Sequence, residues 1–181
     1  MTGAAICVFC GSRHGVLPAY RDLAVRVGHG LVARNAGLVY GGGALGLMGV
    51  VSDSVLEKGG HVTGIMPGFL RFAERQHDNL SRMIITDDMF QRKQAMFDLS
   101  DGFLALPGGI GTLDEVLEVL TWHQLGQVDK PLVLLDEDGF WGPFVAALDH
   151  AVTQGFAGEE TRSLYRVEHT LDGAFTALGL G

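Results

Sequence analysis

Residues 107–115 read Pro-Gly-Gly-Ile-Gly-Thr-Leu-Asp-Glu, and these types in this order suit an anion site beside a working acid. Glycines at 108, 109 and 111 let the backbone approach a ligand closely. An apolar run over 102–106 reads as a buried strand before them, and Leu113, Val116, Leu117 and Leu120 keep helical spacing after them. The stretch is therefore a strand, a turn and a helix start. At such a start the first amides have no partner within the helix and the helix dipole adds partial positive charge, so phosphate is the natural guest of Gly109, Ile110, Gly111 and Thr112. Glu115 stands one turn inside. It has two readings: a carboxylate that acts on whatever carries the phosphate, or the closing residue of a Thr112-x-x-Glu115 capping box. Spacing alone leaves both open. Asp114 and Glu118 are expected on a solvated face, where they favour the N-terminal half of the helix electrostatically.

A second group lies on a preceding helix. Met89, Arg92, Lys93 and Met96 fall at i, i+3, i+4 and i+7, on one stripe. Two cations on an apolar stripe need a partner, which is either an ion pair or snorkelling at the surface, or a ligand phosphate or carboxylate at the sheet's edge. Both remain open on spacing. Gly41, Gly43 and Gly46 match G-x-G-x-x-G after a strand, but in the second βα unit, and the next strand ends in Ile65-Met66-Pro67 with no acid for a ribose, so a dinucleotide is not expected. A G-x-x-x-x-G-K-[ST] motif is absent. Seven histidines show neither H-x-x-x-H spacing nor surrounding acids, so no metal site is expected. Cys7 and Cys10 form C-x-x-C on a strand, where three residues span about 10 Å and the side chains face opposite ways, whereas a disulfide needs Cα atoms within about 7 Å. Two buried thiols are the expectation.

The elements that must position these groups alternate. Strands are expected at 4–10, 38–40, 61–66, 82–86, 102–106, 131–135 and 165–167. Helices are expected between them, one opening at Pro18 and ending at a glycine cap near 35–37, others over 46–58, 88–100, 113–125, 141–153 and 171–178. Asp88 with Gln91 gives a capping-box start. Residues 69–80 carry the least pattern. Alternation without hairpin signals implies an α/β fold, a parallel sheet covered by helices on both faces. In such a sheet ligands bind beyond the carboxyl ends of the strands at a topological switch point, and the turns at 11–12, 41–46 and 107–112 can line one crevice there.

A chain of 181 residues suits a single domain over 1–181, with 47% hydrophobic and 19% charged residues in the globular range. Its net charge of -8, with only 13 Lys and Arg, argues against a nucleic-acid partner. No run approaches the roughly 20 apolar residues of a membrane span, and residues 1–5 lack the basic start of a signal peptide, so a cytoplasmic place without membrane attachment is expected.

Residues 108–115 resemble the P-G-G-x-G-T-x-x-E signature of the LONELY GUY (LOG) family, the cytokinin riboside 5'-monophosphate phosphoribohydrolases. The blocks 10–12 (CGS), 41–49 (GGGALGLMG), 89–96 (MFQRKQAM) and 121–126 (TWHQLG) are similar to family blocks in family order. The resemblance implies a Rossmann-like fold and hydrolysis of the N-glycosidic bond of an N6-substituted adenosine 5'-monophosphate to free base and ribose 5-phosphate, without metal or organic cofactor. It implies Arg92 and Glu115 as the catalytic pair, with Lys93, residues 109–112 and Thr121 lining the nucleotide site and Glu74 placed by its spacing before Arg92. It also implies a homodimer with helices around 88–100 and 113–125 near the interface. Phe90 departs from the family, whose members commonly carry histidine there. Relatives have carried a lysine decarboxylase label, a chemistry that needs pyridoxal phosphate on a lysine. The alternatives to be separated by experiment are the same cleavage of unmodified AMP and a nucleotide or cofactor carrier that does not turn over.

Overall fold

The computed structural model describes residues 3–73 and 75–181. Seven parallel strands form one sheet: β1 (Ala5–Phe9), β2 (Gly37–Tyr40), β3 (Val62–Pro67), β4 (Arg82–Thr86), β5 (Gly102–Ala105), β6 (Leu132–Leu135) and β7 (Arg166–Glu168), in the order β4-β3-β2-β1-β5-β6-β7. The helices are α1 (Pro18–Ala33), α2 (Gly46–Glu57), α3 (Met89–Asp98), α4 (Ile110–Gln124), α5 (Gly142–Thr153) and α6 (Leu171–Ala177). Because strand side chains alternate, β1 serves both faces. Ile6, Val8 and Cys10 join the core under α1, α2 and α6, while Ala5, Cys7 and Phe9 join the one under α3, α4 and α5. The two thiols thus lie on opposite sides of the sheet, both buried and unpaired with each other.

The strand order places the switch point. The chain winds outward from β1 through β2, β3 and β4, then crosses back so that β5 pairs with the other edge of β1, Cys7 opposite Phe103 and Phe9 opposite Ala105. The turns leaving β1 and β5 therefore meet: the Gly11 N–H donates to the Pro107 carbonyl at 3.1 Å. The Gly11 carbonyl in turn accepts from the Leu47 N–H at 2.9 Å and the Met48 N–H at 3.4 Å, tying in the start of α2. Gly46 opens α2 with φ +59, and a Cβ there would lie 2.3 Å from the Arg13 backbone nitrogen, so both the conformation and the close approach require glycine.

Two expected helix ends differ in detail. α1 begins with proline at its first position, as its sequence predicts, but the left-handed residue that ends it is Asn35 (φ 55), and Gly37 already belongs to β2. Asparagine tolerates that conformation and supplies the cap a glycine was expected to give. At α3 the Asp88 carboxylate accepts from the Gln91 N–H at 2.8 Å, while Gln91 returns to the Asp87 N–H at 3.2 Å, one residue earlier than a capping box. Among the described residues no helix is long and apolar enough to cross a membrane.

Candidate active site

α3 and α4 pack on the same face of the sheet and bring two distant residues together. Arg92 Nη1 lies 3.1 Å from Glu115 Oε1, with both side chains more than nine-tenths buried. The Arg92 Nε donates to the Ile65 carbonyl of β3 at 3.3 Å. A Cβ built on Gly41 would come within 2.2 Å of Arg92 Nη2, so the guanidinium rests directly on the backbone of the turn after β2. Two buried charges are tolerable only when paired, since burying an ion away from water is costly without an opposite charge beside it. Their field reaches the sheet: burial pushes the Cys7 thiol well above its ordinary range, Glu115 adds to the rise, and Arg92 opposes it.

The capping-box reading of Glu115 is overturned. α4 starts at Ile110 with Gly109 as its cap, and Leu113 N–H returns to the Gly109 carbonyl at 3.1 Å. Thr112 is therefore inside the helix, not in front of it. Its side chain fills the space over Gly108, where a Cβ would meet Thr112 Oγ1 at 2.1 Å. The amides of Ile110, Gly111 and Thr112 are the first of the helix, with no residue four places earlier in the helix to receive them. Arg92, Glu115 and Gly109, Ile110, Gly111 and Thr112 line one cavity of about 180 Å³, together with Ser12, Met48 and Met89. It adjoins a cavity of about 490 Å³ that shares Ser12, Gly109 and Ile110 and adds Arg13, Tyr20 and Phe140. Ser12 stands on the turn at the carboxyl end of β1, a position the switch-point rule points to. Met48 and Phe140 carry no such signal, because only tertiary packing brings them to the crevice.

Other candidates lie apart. Lys93 is gripped by Asp114 Oδ2 at 2.8 Å and by Glu118, and it does not line the cavity of Arg92 and Glu115. Burial pulls Lys93 downward, but the two carboxylates more than offset it and leave it above its ordinary value. Asp114 and Glu118 were expected merely to face solvent; instead they link α4 to α3, and Asp114 also borders the smaller cavity. Thr121 is exposed, donates to the Leu117 carbonyl at 2.8 Å, and lines neither cavity. Glu74 lies outside the described residues.

With this geometry in place, similarity decides the family. The family described as "Possible lysine decarboxylase" matches residues 48–178. LOG3 of Arabidopsis thaliana, a cytokinin riboside 5'-monophosphate phosphoribohydrolase, is 48% identical over 159 residues, which are 88% of this chain and 74% of that one. The chain belongs to the LOG family. LOGL2 of Oryza sativa subsp. japonica, named as a probable enzyme of the same activity, is also 48% identical over 88% of this chain, and the chain spans 65% of its length. The Rossmann-like α/β fold is shared with the molybdenum cofactor binding protein from Rippkaea orientalis, at a TM-score of 0.74 and 21% identity over 99% of this chain and 97% of that one. The decarboxylase description of the LOG family implies pyridoxal phosphate, which needs a lysine amine at its site. Among the described residues no lysine lines either cavity of this LOG chain: Lys93 is held by two carboxylates and Lys130 donates to the Phe97 carbonyl at 2.7 Å. The residues do not fit that cofactor.

Proposed function

We propose that this chain, as a single domain over residues 1–181, hydrolyses the N-glycosidic bond of N6-substituted adenosine 5'-monophosphates, the substrates named for its LOG relatives, and releases free base and ribose 5-phosphate. The observation that carries this reading is the buried Arg92–Glu115 pair facing the same cavity as the first amides of α4. The 5'-phosphate takes those amides, at Ile110, Gly111 and Thr112, where the helix dipole favours it. That remote grip positions the ribose for the acid. As the C1'–N bond lengthens, positive charge develops on the ribose, and the Glu115 carboxylate stabilises it and orients the water that attacks C1'. The bonding electrons leave with the base, which takes up one proton from solvent as the attacking water gives one up, so that water is divided between ribose 5-phosphate and free base. Arg92, paired with Glu115 at 3.1 Å, aims its carboxylate.

The same reading includes a homodimer in the cytoplasm. Ile110, Leu117, Thr121 and Leu125 recur on one side of α4, and Ile110 is 87% exposed, with Phe90 on α3 also open to solvent. An interface over this stripe gives Thr121 a route to the nucleotide held by a second copy, with Lys93 and Glu74 carried over from the family's pattern.

The test is release of free base and ribose 5-phosphate from isopentenyl-AMP by wild type and Glu115→Gln, with AMP run in parallel. Glutamine keeps the shape and removes the charge. Turnover by wild type and loss of about 100-fold or more in kcat for a folded variant are expected, on the scale of deleted electrostatic stabilisation. Equal activity of the variant rejects the role of Glu115. Faster cleavage of AMP moves the substrate to the unmodified nucleotide, and binding without cleavage makes the protein a carrier.

A further inference from the structure

The segment that carries the least sequence pattern is tied to the turn under Arg92. Gly43 pairs with Gln76 as an antiparallel bridge, the Ala44 N–H donates to the Arg75 carbonyl at 2.9 Å, and the His77 N–H donates to the Gly42 carbonyl at 3.0 Å. Residues 75–77 thus lie along residues 42–44 as a short added strand. The His77 ring is almost buried, and both of its nitrogens are engaged. The Asn79 backbone N–H points at Nδ1 from 3.2 Å, and Nε2 lies 2.9 Å from the Asp53 carboxylate on α2. A backbone N–H can only donate, so Nδ1 accepts and Nε2 bears the proton given to Asp53. This assigns the tautomer and leaves no lone pair for base catalysis or for a metal.

What the ring does is mechanical. Gly42 is bonded to the His77 backbone, and the adjoining Gly41 is the surface on which the Arg92 guanidinium lies, 2.2 Å from where a Cβ would be. We propose that His77, latched to Asp53, is a positioning residue: it holds residues 75–77 against the 42–44 turn and so fixes the backbone platform of Arg92. The inference rests on the assignment of Arg92 and Glu115 to the chemistry. Its contacts are with Gly42, Asp53 and Asn79, so it acts through Gly42 and Gly41.

Three substitutions separate this role from general support. Gln places a donor near Nε2 and can keep the bond to Asp53; Asn reaches only the Nδ1 position; Ala reaches neither. His77→Ala and His77→Asn are expected to lower kcat about tenfold with KM changed less than about twofold, since even a 1 Å misplacement can cost on the order of 100-fold. His77→Gln is expected to restore most of the rate. The Arg92 Nε–H resonance of the isotope-labelled protein should shift in the Ala and Asn variants and return in Gln, and the Ala44 and His77 amides should exchange faster in the same two. An Ala variant with full kcat, an unmoved Arg92 resonance or unchanged exchange overturns the proposal, as does equal loss in Gln and Ala. If wild type itself turns over no nucleotide, the hydrolase reading falls, while the resonance still decides whether the latch positions the guanidinium.

Discussion

At the scale of single residues, the site depends on a charge that is costly to bury and on a glycine that makes room for its partner. Arg92→Ala removes the buried cation paired with Glu115 and is expected to destabilise the fold by about 3–5 kcal/mol, read as a lower denaturation midpoint in urea at unchanged slope. Gly41→Ala tests room alone. Its methyl would stand 2.2 Å from Arg92 Nη2, so the guanidinium must shift. A folded protein with kcat reduced about tenfold or more is expected, since the catalytic geometry tolerates little displacement. The thiols give a third check. Burial raises Cys10 as it raises Cys7, with Glu115 adding to both, so neither forms the reactive thiolate near neutral pH. Native protein should be inert to a disulfide reagent at about pH 8, and both thiols should react once it is unfolded in guanidinium.

At the scale of elements, α4 is where sequence and structure agree and then part. Its strand, turn and helix were legible at 102–125 because glycines and helical spacing are local signals. The paired cations at 92 and 93 were legible as a stripe, but not their fates. Arg92 turns to Glu115 and Lys93 to Asp114 and Glu118, and this division depends on how α3 sits against α4, which no spacing within either helix states. The cap was also hidden. Thr112-x-x-Glu115 is a valid capping box in isolation, and only the observed start at Ile110 removes it. The strap at 75–77 was illegible because its hydrogen bonds go to a glycine turn more than 30 residues earlier, with no periodicity to announce them. The α4 site carries its own prediction. The nucleoside without its phosphate should lose kcat as well as binding, measured as a fall in both kcat and kcat/KM.

At the scale of the molecule, the order β4-β3-β2-β1-β5-β6-β7 places one crevice between β1 and β5, and the exposed stripe on α4 lies beside it. If that stripe joins two copies, Leu117→Asp should yield a monomer by light scattering and lose activity together with the interface. A fully active monomer would remove the second copy from the site. The same crevice shows why two helices pointing toward it are not equivalent. The Gly11 carbonyl already receives the Leu47 and Met48 amides that open α2, whereas among the described residues no such carbonyl stands in front of the opening amides of α4. Counted as electrical contacts, the crevice has one socket wired shut and one left open. A second phosphoryl group therefore finds no second helix start to receive it, and lengthening AMP to ADP should bring no gain in affinity from α2, measured as the ratio of the two dissociation constants.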